Sequence, residues 1–474
     1  MPLTAHKESM QDLTYTPKSA WKRFAAEADQ KEIFKFVERY REFLSACKTE
    51  RETIAYVERR LREAGYGEDP SSGFYLANLR GKSLFAARRG TLPLREGLSL
   101  IAAHADSPRL DCKQRPLIEQ AGLAQAKTHY YGGIRKYQWL SRPLAIHGVI
   151  VRDNGECVEI CLGEKPEDPV FCVADLLPHL AQKQVEQTVR EAFDGEKLNI
   201  VVGHKLPSDE ECETLETKEE KKEENPIKKA VLELLHEHLD ICEEDLITAE
   251  LEVVPAGSAR YVGFDRGLLG AYGHDDRICV FTALEALLSS EHLGRSKATM
   301  FWDKEEIGSD GATGASSRFL GYCVETITKA WDPTISASQV LLQSQALSAD
   351  VTAALDPDYQ DLHEKQNAAQ LGYGPCFSKF TGSRGKYGAS DADAEYFGMM
   401  RGLLNRANIP WQVAELGKVD SGGGGTVALF LAQWGMQVID LGPALLAMHS
   451  PFELASCADI YASAPVLPDL NLAA

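Results

Sequence analysis

Apolar residues recur at intervals of three and four over residues 19–64, where Trp21, Phe24, Ile33, Phe34, Val37, Phe43 and Leu44 mark one face. That period predicts helix. Tyr66-Gly67 closes the region, and over residues 74–88 apolar residues alternate on both sides of Arg80-Gly81-Lys82, which predicts a hairpin. Residues 98–103 form a continuous apolar run, read as a buried strand, that delivers His104-Ala105-Asp106-Ser107-Pro108-Arg109. Short β-like runs then dominate from about residue 112 to 264, such as 144–151, 158–162 and 246–254. Within that block, residues 208–225 interleave Glu and Lys with almost nothing apolar and predict a solvated insertion, followed by an amphipathic helix over 227–239.

From Asp275 onward helix and strand alternate. Helix is predicted over 278–288, 314–322, 392–407 and 426–434. Strand is predicted over 298–302, 327–331, 411–416 and 436–441, the last of these preceding Met448-His449-Ser450-Pro451. Such alternation implies a mostly parallel sheet covered on both faces. The chain is thus read as an α/β domain from residues 1–112 plus 265–474, interrupted by a β-rich domain at 113–264.

Composition narrows the functional classes. The 474 residues suffice for two or three domains with real cores, and 44% hydrophobic with 26% charged is an ordinary globular balance. A formal charge of -19 argues against nucleic acid and against an anionic membrane surface as partners. No apolar run approaches the roughly 20 residues of a membrane span. The first residues lack the basic-then-apolar order of a signal peptide, and the 11 cysteines include no CxxC pair. Reduced thiols and a cytoplasmic location are expected.

Acidic and histidine residues follow the apolar runs in an unusual concentration: His104, Asp106, Asp275, Asp276, Glu305, Glu306, Asp350 and His449. Strand exits of open α/β sheets gather in one crevice, where sites form. Two histidines and three carboxylates are a suitable donor set for a pair of zinc-like ions sharing a bridging carboxylate, with a fourth carboxylate left as general base. Adjacent glutamates such as Glu305-Glu306 also suit a plain solvated loop, and the donors are too dispersed for a compact motif to decide. Asp106, two positions after His104, is placed to fix an imidazole's tautomer or simply to cap the turn at Ser107-Pro108. His236-Glu237-His238 reads as a solvated helix face.

The segments AAHADSPRLD, GHDDRICVFTALEALL, FWDKEEIGSDGATGA, SADVTAALDPDY, GP with Lys379 and Tyr387, DSGGGGT and DLGPALLAMHSP occur in this order over residues 74–455. Together they resemble the M18 family of metallo-aminopeptidases, that of aspartyl aminopeptidase and yeast aminopeptidase I, and the chain looks like a bacterial member. The resemblance implies that Asp275 bridges two divalent ions, zinc with manganese or cobalt as alternatives. His104 and Asp350 would complete one shell, and Glu306 and His449 the other. It makes Glu305 the base that activates a metal-bridging water, makes Asp106 the residue that orients His104, and implies a cis peptide at Asp275-Asp276. Asp275 would open a helix, whose N-terminal amides favour a carboxylate.

Peptides with a free N-terminal amine are the implied substrates. Lys379, Tyr387 and the glycine loop containing Gly423 would contact them. His179, in Pro178-His179-Leu180-Ala181, resembles a loop that family members insert into a neighbouring subunit's site. Gln182-Lys183 stands where aspartyl aminopeptidases carry a second histidine, which leaves acidic, neutral and basic N-terminal residues open. The resemblance also implies that the inserted domain mediates dimerisation within a homo-oligomer, a dodecamer in this family. A di-zinc deacylase or carboxypeptidase of related groups is the alternative among hydrolases, and an inactive peptide-binding scaffold the alternative from another class.

Overall fold

The computed structural model describes residues 14–206, 225–289 and 294–464, so the predicted 208–225 insertion lies outside the described residues apart from Asn225. The N-terminal helical pattern resolves into three helices, Ala20–Arg23, Glu27–Ala46 and Glu50–Glu63. The chain breaks before the third because Thr49 caps it. The Thr49 hydroxyl accepts the Glu52 N–H, and the Glu52 carboxylate accepts the Thr49 N–H in return.

An eight-stranded sheet carries the α/β portion, in the order Phe74–Leu79, Ser83–Arg88, Ser296–Trp302, Leu98–His104, Gln345–Ser348, Gln437–Gly442, Cys376–Ser378 and Gln412–Val413. The strands Ser296–Trp302, Leu98–His104, Gln345–Ser348 and Gln437–Gly442 run parallel, and the predicted hairpin flanks them antiparallel. Continuous apolar strands serve a sheet buried on both faces. Ile101 and Ala103 face a core shared with Val37, Tyr40, Phe43 and the helix His274–Ser289. Leu100 and Ala102 face a second core with Leu320, Val324, Val340 and Leu431. Register sets the site: Trp302 lies opposite His104, and Ser348 lies opposite both Ala102 and Asp440, so the carboxyl ends of these strands are level.

A second, seven-stranded antiparallel sheet runs Cys157–Leu162, Leu144–Val151, Glu250–Pro255, Arg109–Gln120, Leu123–Tyr131, Ile200–Gly203 and Cys172–Val173, with a core of its own around Trp139, Leu144, Ile200 and Val253. It is the β-rich insertion that the sequence announces. Its longest feature, the hairpin Arg109–Gln120 with Leu123–Tyr131, was not predicted. It turns at Ala121-Gly122, both at positive φ (51° and 75°), as a tight hairpin turn requires. A third sheet, Arg260–Val262, Leu268–Ala271, Glu453–Ser456, Ala444–Leu446 and Thr352–Ala353, frames the loop that carries His449.

Two predicted elements are corrected. Residues 327–331 are not strand but the end of helix Phe319–Trp331, whose buried Leu320, Cys323, Val324, Ile327 and Trp331 keep a helical spacing. The helix predicted from 314 begins only at Phe319. Gly314 packs its backbone so closely on Ser309 that a Cβ would lie 2.1 Å from the Ser309 carbonyl oxygen. The fifth strand of the central sheet is instead the short Gln345–Ser348.

Candidate metal centre

Each candidate donor leaves the end of an ordered element. His104 is the last residue of Leu98–His104, and Asp350 follows Gln345–Ser348 by two positions. Glu305 and Glu306 sit on a single 3-10 turn after Ser296–Trp302, bracketed by Lys304 and Gly308, both at positive φ (69° and 96°), which folds the chain back on itself. Asp275 lies at the start of His274–Ser289. Its backbone (φ -81°, ψ 106°) and that of Asp276 are not helical, and the peptide between them is cis.

The side chains converge. One Asp275 oxygen lies 3.1 Å from His104 Nε2, and the other lies 3.2 Å from His449 Nε2. Asp350 Oδ1 is 3.9 Å from His104 Nε2, and Glu306 Oε2 is 3.3 Å from His449 Nε2. Three overlapping donor groups result, His104 with Asp275 and Asp350, His449 with Asp275 and Glu306, and His104 with Glu305 and Glu306. In each, the donor atoms lie within 4.8 Å of one another. Glu305 Oε2 stands 3.9 Å from His104 Nε2.

Behind the donors lies a hydrogen-bonded shell. The fully buried Asp106 accepts from the Glu305 and Glu306 amides (3.1 and 3.2 Å), from the Tyr131 hydroxyl (2.8 Å), and from His104 Nδ1 (3.3 Å). His104 Nδ1 also reaches the Asp106 carbonyl at 3.1 Å, so that nitrogen carries the proton and Nε2 presents a lone pair. His449 Nδ1 donates to the Gly133 carbonyl at 3.1 Å in the same way. Glu453 accepts from the His449 amide (2.7 Å) and the Asp275 amide (3.1 Å). Tyr131, Gly133 and Glu453 were not among the predicted site residues. The only hint of them is that Glu453 follows His449 by one turn and that Gly132-Gly133 interrupts a β-rich stretch.

Charge at the centre is strongly perturbed. Burial pushes the Glu306 and Asp350 carboxyls well above the ordinary range, and neighbouring carboxylates add to it. Burial also pushes Glu305 up to about 7; the histidines oppose the shift, while Asp106 and Asp275 reinforce it. Asp275 moves the other way, because the His104 and His449 imidazoles facing its two oxygens outweigh its burial. Asp106 is likewise held low despite burial by His104, Tyr131 and Arg109. One oxygen of Asp275 and one of Glu306 are buried without a hydrogen-bond partner. Buried carboxylates in this state call for cations, and N/O donors of this kind suit zinc. The residues fit a metal centre.

The residues read from sequence as substrate contacts stand apart from this cluster. Lys379 lines an open groove of about 790 Å³ with Tyr15, Phe397, Arg401 and Trp411. Tyr387 is 76% exposed, on a small hairpin in which Ser383 pairs with Gly423. His179 occupies an exposed 3-10 turn, Pro178–Leu180. Among the described residues, no hydrogen bond or ion pair joins these four to the carboxylates and histidines of the centre.

A carboxylate shared by two histidine-containing donor groups, at the carboxyl edge of a parallel sheet, suits a metal-dependent enzyme. Comparison with known proteins gives the family. The Aminopeptidase I zinc metalloprotease (M18) profile matches residues 43–468. The probable M18 family aminopeptidase 1 of Clostridium acetobutylicum is 46% identical over 95% of this chain and 97% of that protein. The crystal structure of the M18 aminopeptidase from Thermotoga maritima superposes with a TM-score of 0.89, at 46% identity over 96% of this chain and 99% of that one. The Saccharomyces cerevisiae mApe1 dodecamer, at 21% identity and a TM-score of 0.71 over 93% of this chain and 96% of that one, shares the fold. The chain belongs to the M18 peptidase family and is a zinc-dependent aminopeptidase, a hydrolase of peptide bonds. The scaffold and the deacylase or carboxypeptidase readings fall away.

Proposed function

We propose that the enzyme works with two divalent ions, zinc in the first instance, bridged by Asp275. One ion would be completed by His104 and Asp350 and the other by Glu306 and His449. The observation that supports this most directly is the split of the Asp275 carboxylate, one oxygen facing each imidazole at 3.1 and 3.2 Å. When bound, the ions supply Lewis-acid polarisation of the scissile carbonyl and lower the pKa of water toward about 7.

Glu305 is then the general base. It takes a proton from the attacking water onto a carboxylate oxygen and delivers it to the amine that leaves. Burial raises this carboxyl, and the ions held beside it would draw it back down, which leaves a base that can both take and release a proton near neutral pH. Asp106 grips the Glu305 amide and so fixes the base relative to His104. Substrates are peptides with a free N-terminal amine. Lys379, Tyr387 and Gly423 are assigned to substrate binding, and His179 to the site of a neighbouring subunit.

The β-rich insertion at residues 113–264 is assigned to dimerisation within a homo-oligomer, a dodecamer by the family resemblance. The exposed apolar residues around His179 support an interface there. A cytoplasmic location fits the ten cysteines of the described residues, all of them free thiols.

A panel of aminoacyl-p-nitroanilides tests this reading, each offered unblocked and N-acetylated, with zinc, manganese or cobalt added. Cleavage confined to the unblocked members, in enzyme holding two metal equivalents per chain, is the expected result. The rates across the panel name the preferred side chain. Cleavage of the acetylated members at equal rates overturns the requirement for a free amine.

A further inference from the structure

The seven-stranded insertion touches the metal centre through three consecutive residues. Tyr131 ends the strand Leu123–Tyr131 and gives its hydroxyl to Asp106 at 2.8 Å, the shortest of the hydrogen bonds that carboxylate accepts. Gly132 (φ 73°) lies so close to the site that a Cβ there would sit 3.3 Å from the side chains of Glu306 and Pro108. The Gly133 carbonyl accepts the Nδ1 proton of His449, and a Cβ on Gly133 would lie 3.3 Å from that same nitrogen.

The tyrosine is itself held. The Arg109 guanidinium lies 4.0 Å from the centroid of its ring, and that guanidinium is fixed by Asp111 at 2.8 Å and Glu252 at 3.1 Å. Arg109 is 6% exposed, so the stack sits in a low-dielectric setting where a cation over an aromatic face is worth more than at the surface.

We propose that Tyr131 and Gly133 are positioning residues by which the β-rich insertion sets the orientation of both histidine ligands, His104 through Asp106 and His449 directly. The proposal rests on the di-metal reading above. Asp106 Oδ2 has two donors, the Tyr131 hydroxyl and the Glu306 amide. Without the hydroxyl it keeps one, on a side chain that is itself fully buried. The carboxylate is then free to rotate away from His104 Nδ1, which already has the Asp106 carbonyl as a second acceptor at 3.1 Å. The imidazole loses its fixed plane and part of its basicity, while its Nε2 remains in place as a donor. Partners of this kind behind a ligating histidine are worth about 10–100-fold in metal affinity or activity. The insertion is therefore part of the catalytic centre as well as a separate folded unit.

The test uses full-length enzyme loaded with zinc or cobalt. Tyr131→Phe keeps the ring on Arg109 and removes only the hydroxyl. The expected result is about 10–100-fold faster loss of metal to a chromophoric chelator. The visible absorption of the cobalt enzyme should shift, and kcat should fall about tenfold with KM within about twofold. Tyr130→Phe, on the same strand, should match wild type in all three. Gly133→Ala crowds His449 and should reproduce the loss of metal from the other side; it carries the test should Tyr131→Phe fail to fold. Wild-type retention, spectrum and kcat in Tyr131→Phe overturn the proposal. If wild type itself binds fewer than two ions per chain, the di-metal reading fails, and Tyr131 is then judged on the remaining ion by the same comparison of retention.

Discussion

Asp106 shows how a residue that touches no substrate can govern a catalytic centre. Its carboxylate fixes His104 and the backbones of Glu305 and Glu306, all within 3.3 Å. Because Asp106 supports the backbone of Glu305, that side chain can be altered without disturbing its position. Glu305→Gln keeps the size of the side chain and the amide that Asp106 holds, and removes the ability to take a proton. The expected outcome is a fall in kcat of about 10³-fold with KM little changed, in protein that keeps its full metal content by elemental analysis. Loss of metal in step with activity would make Glu305 a ligand instead of a base. At this scale the side chains that the structure brings together were legible, because a carboxylate or imidazole at the end of an apolar run is conspicuous. Their supports were not. Tyr131 lies 25 positions from the Asp106 it donates to, and Gly133 lies 316 positions from the His449 it orients. No local periodicity connects residues so far apart.

Elements were read well where the apolar pattern was long and poorly where only a few residues carried it. The helix Glu27–Ala46 shows its period openly and the strand Leu98–His104 its unbroken apolar run, whereas Ile327, Thr328 and Trp331 at the end of a helix are spaced in a way that suits strand or helix alike. The seam between the helix Glu50–Glu63 and the strand Leu144–Val151 offers a measurable consequence. His147, 1% exposed, donates through Nδ1 to Glu52 at 2.7 Å and through Nε2 to Glu164 at 3.1 Å, with Lys48 3.1 Å from the same Glu164 oxygen. With both nitrogens engaged as donors, the ring is a cation tying the insertion to the N-terminal helices, although Cys161 completes a possible metal-donor trio with it.

Burial works against that charge, but the two carboxylates outweigh it and raise the His147 pKa above its ordinary 6.5. Its contribution to stability is complete below 6.5 and fades as pH rises through the higher folded-state value. Glu52 and Glu164 are held below their ordinary 4.5 by His147 in spite of burial, with help from backbone amides at Glu52 and from Lys48 at Glu164. Their contribution is complete above 4.5 and fades as pH falls through the lower folded-state values. The three overlap fully between pH 4.5 and 6.5. His147→Gln should therefore melt about 2 °C lower than wild type inside that window. The gap should narrow toward pH 9, as calorimetry at matched scan rates would show. A gap that stays constant from pH 5 to 9 would mean that His147 acts through packing and not through charge.

At the scale of the whole molecule, the two sheets were legible as a change of pattern, α/β giving way to short β runs and returning. What the sequence could not convey is that the sheets meet at the metal centre, since that depends on the unpredicted hairpin ending at Tyr131. A similar gap surrounds the substrate side. Tyr387 and Gly423 both pair with Ser383 in one small sheet, whereas Lys379 lines a separate groove and His179 an exposed turn. Leu176, Leu177, Leu180 and Val185, around His179, are 52%, 50%, 67% and 82% exposed. Apolar residues clustered at such exposure mark interaction surfaces more often than idle ones.

If that loop seats on a neighbouring copy, charge placed there should break assembly and activity together while leaving each subunit folded. Leu177→Asp with Leu180→Asp lies in an exposed turn outside every core cluster of the described residues, so the far-ultraviolet spectrum and metal content of each chain should match wild type. Light scattering should show a smaller particle, and peptide turnover should fall by at least about tenfold, because each imperfectly buried aspartate costs on the order of 1–3 kcal/mol at the contact. His179→Ala separates the two roles. It should keep the assembly and lose turnover if the imidazole serves the neighbour's site, and keep both if the loop acts only as an interface.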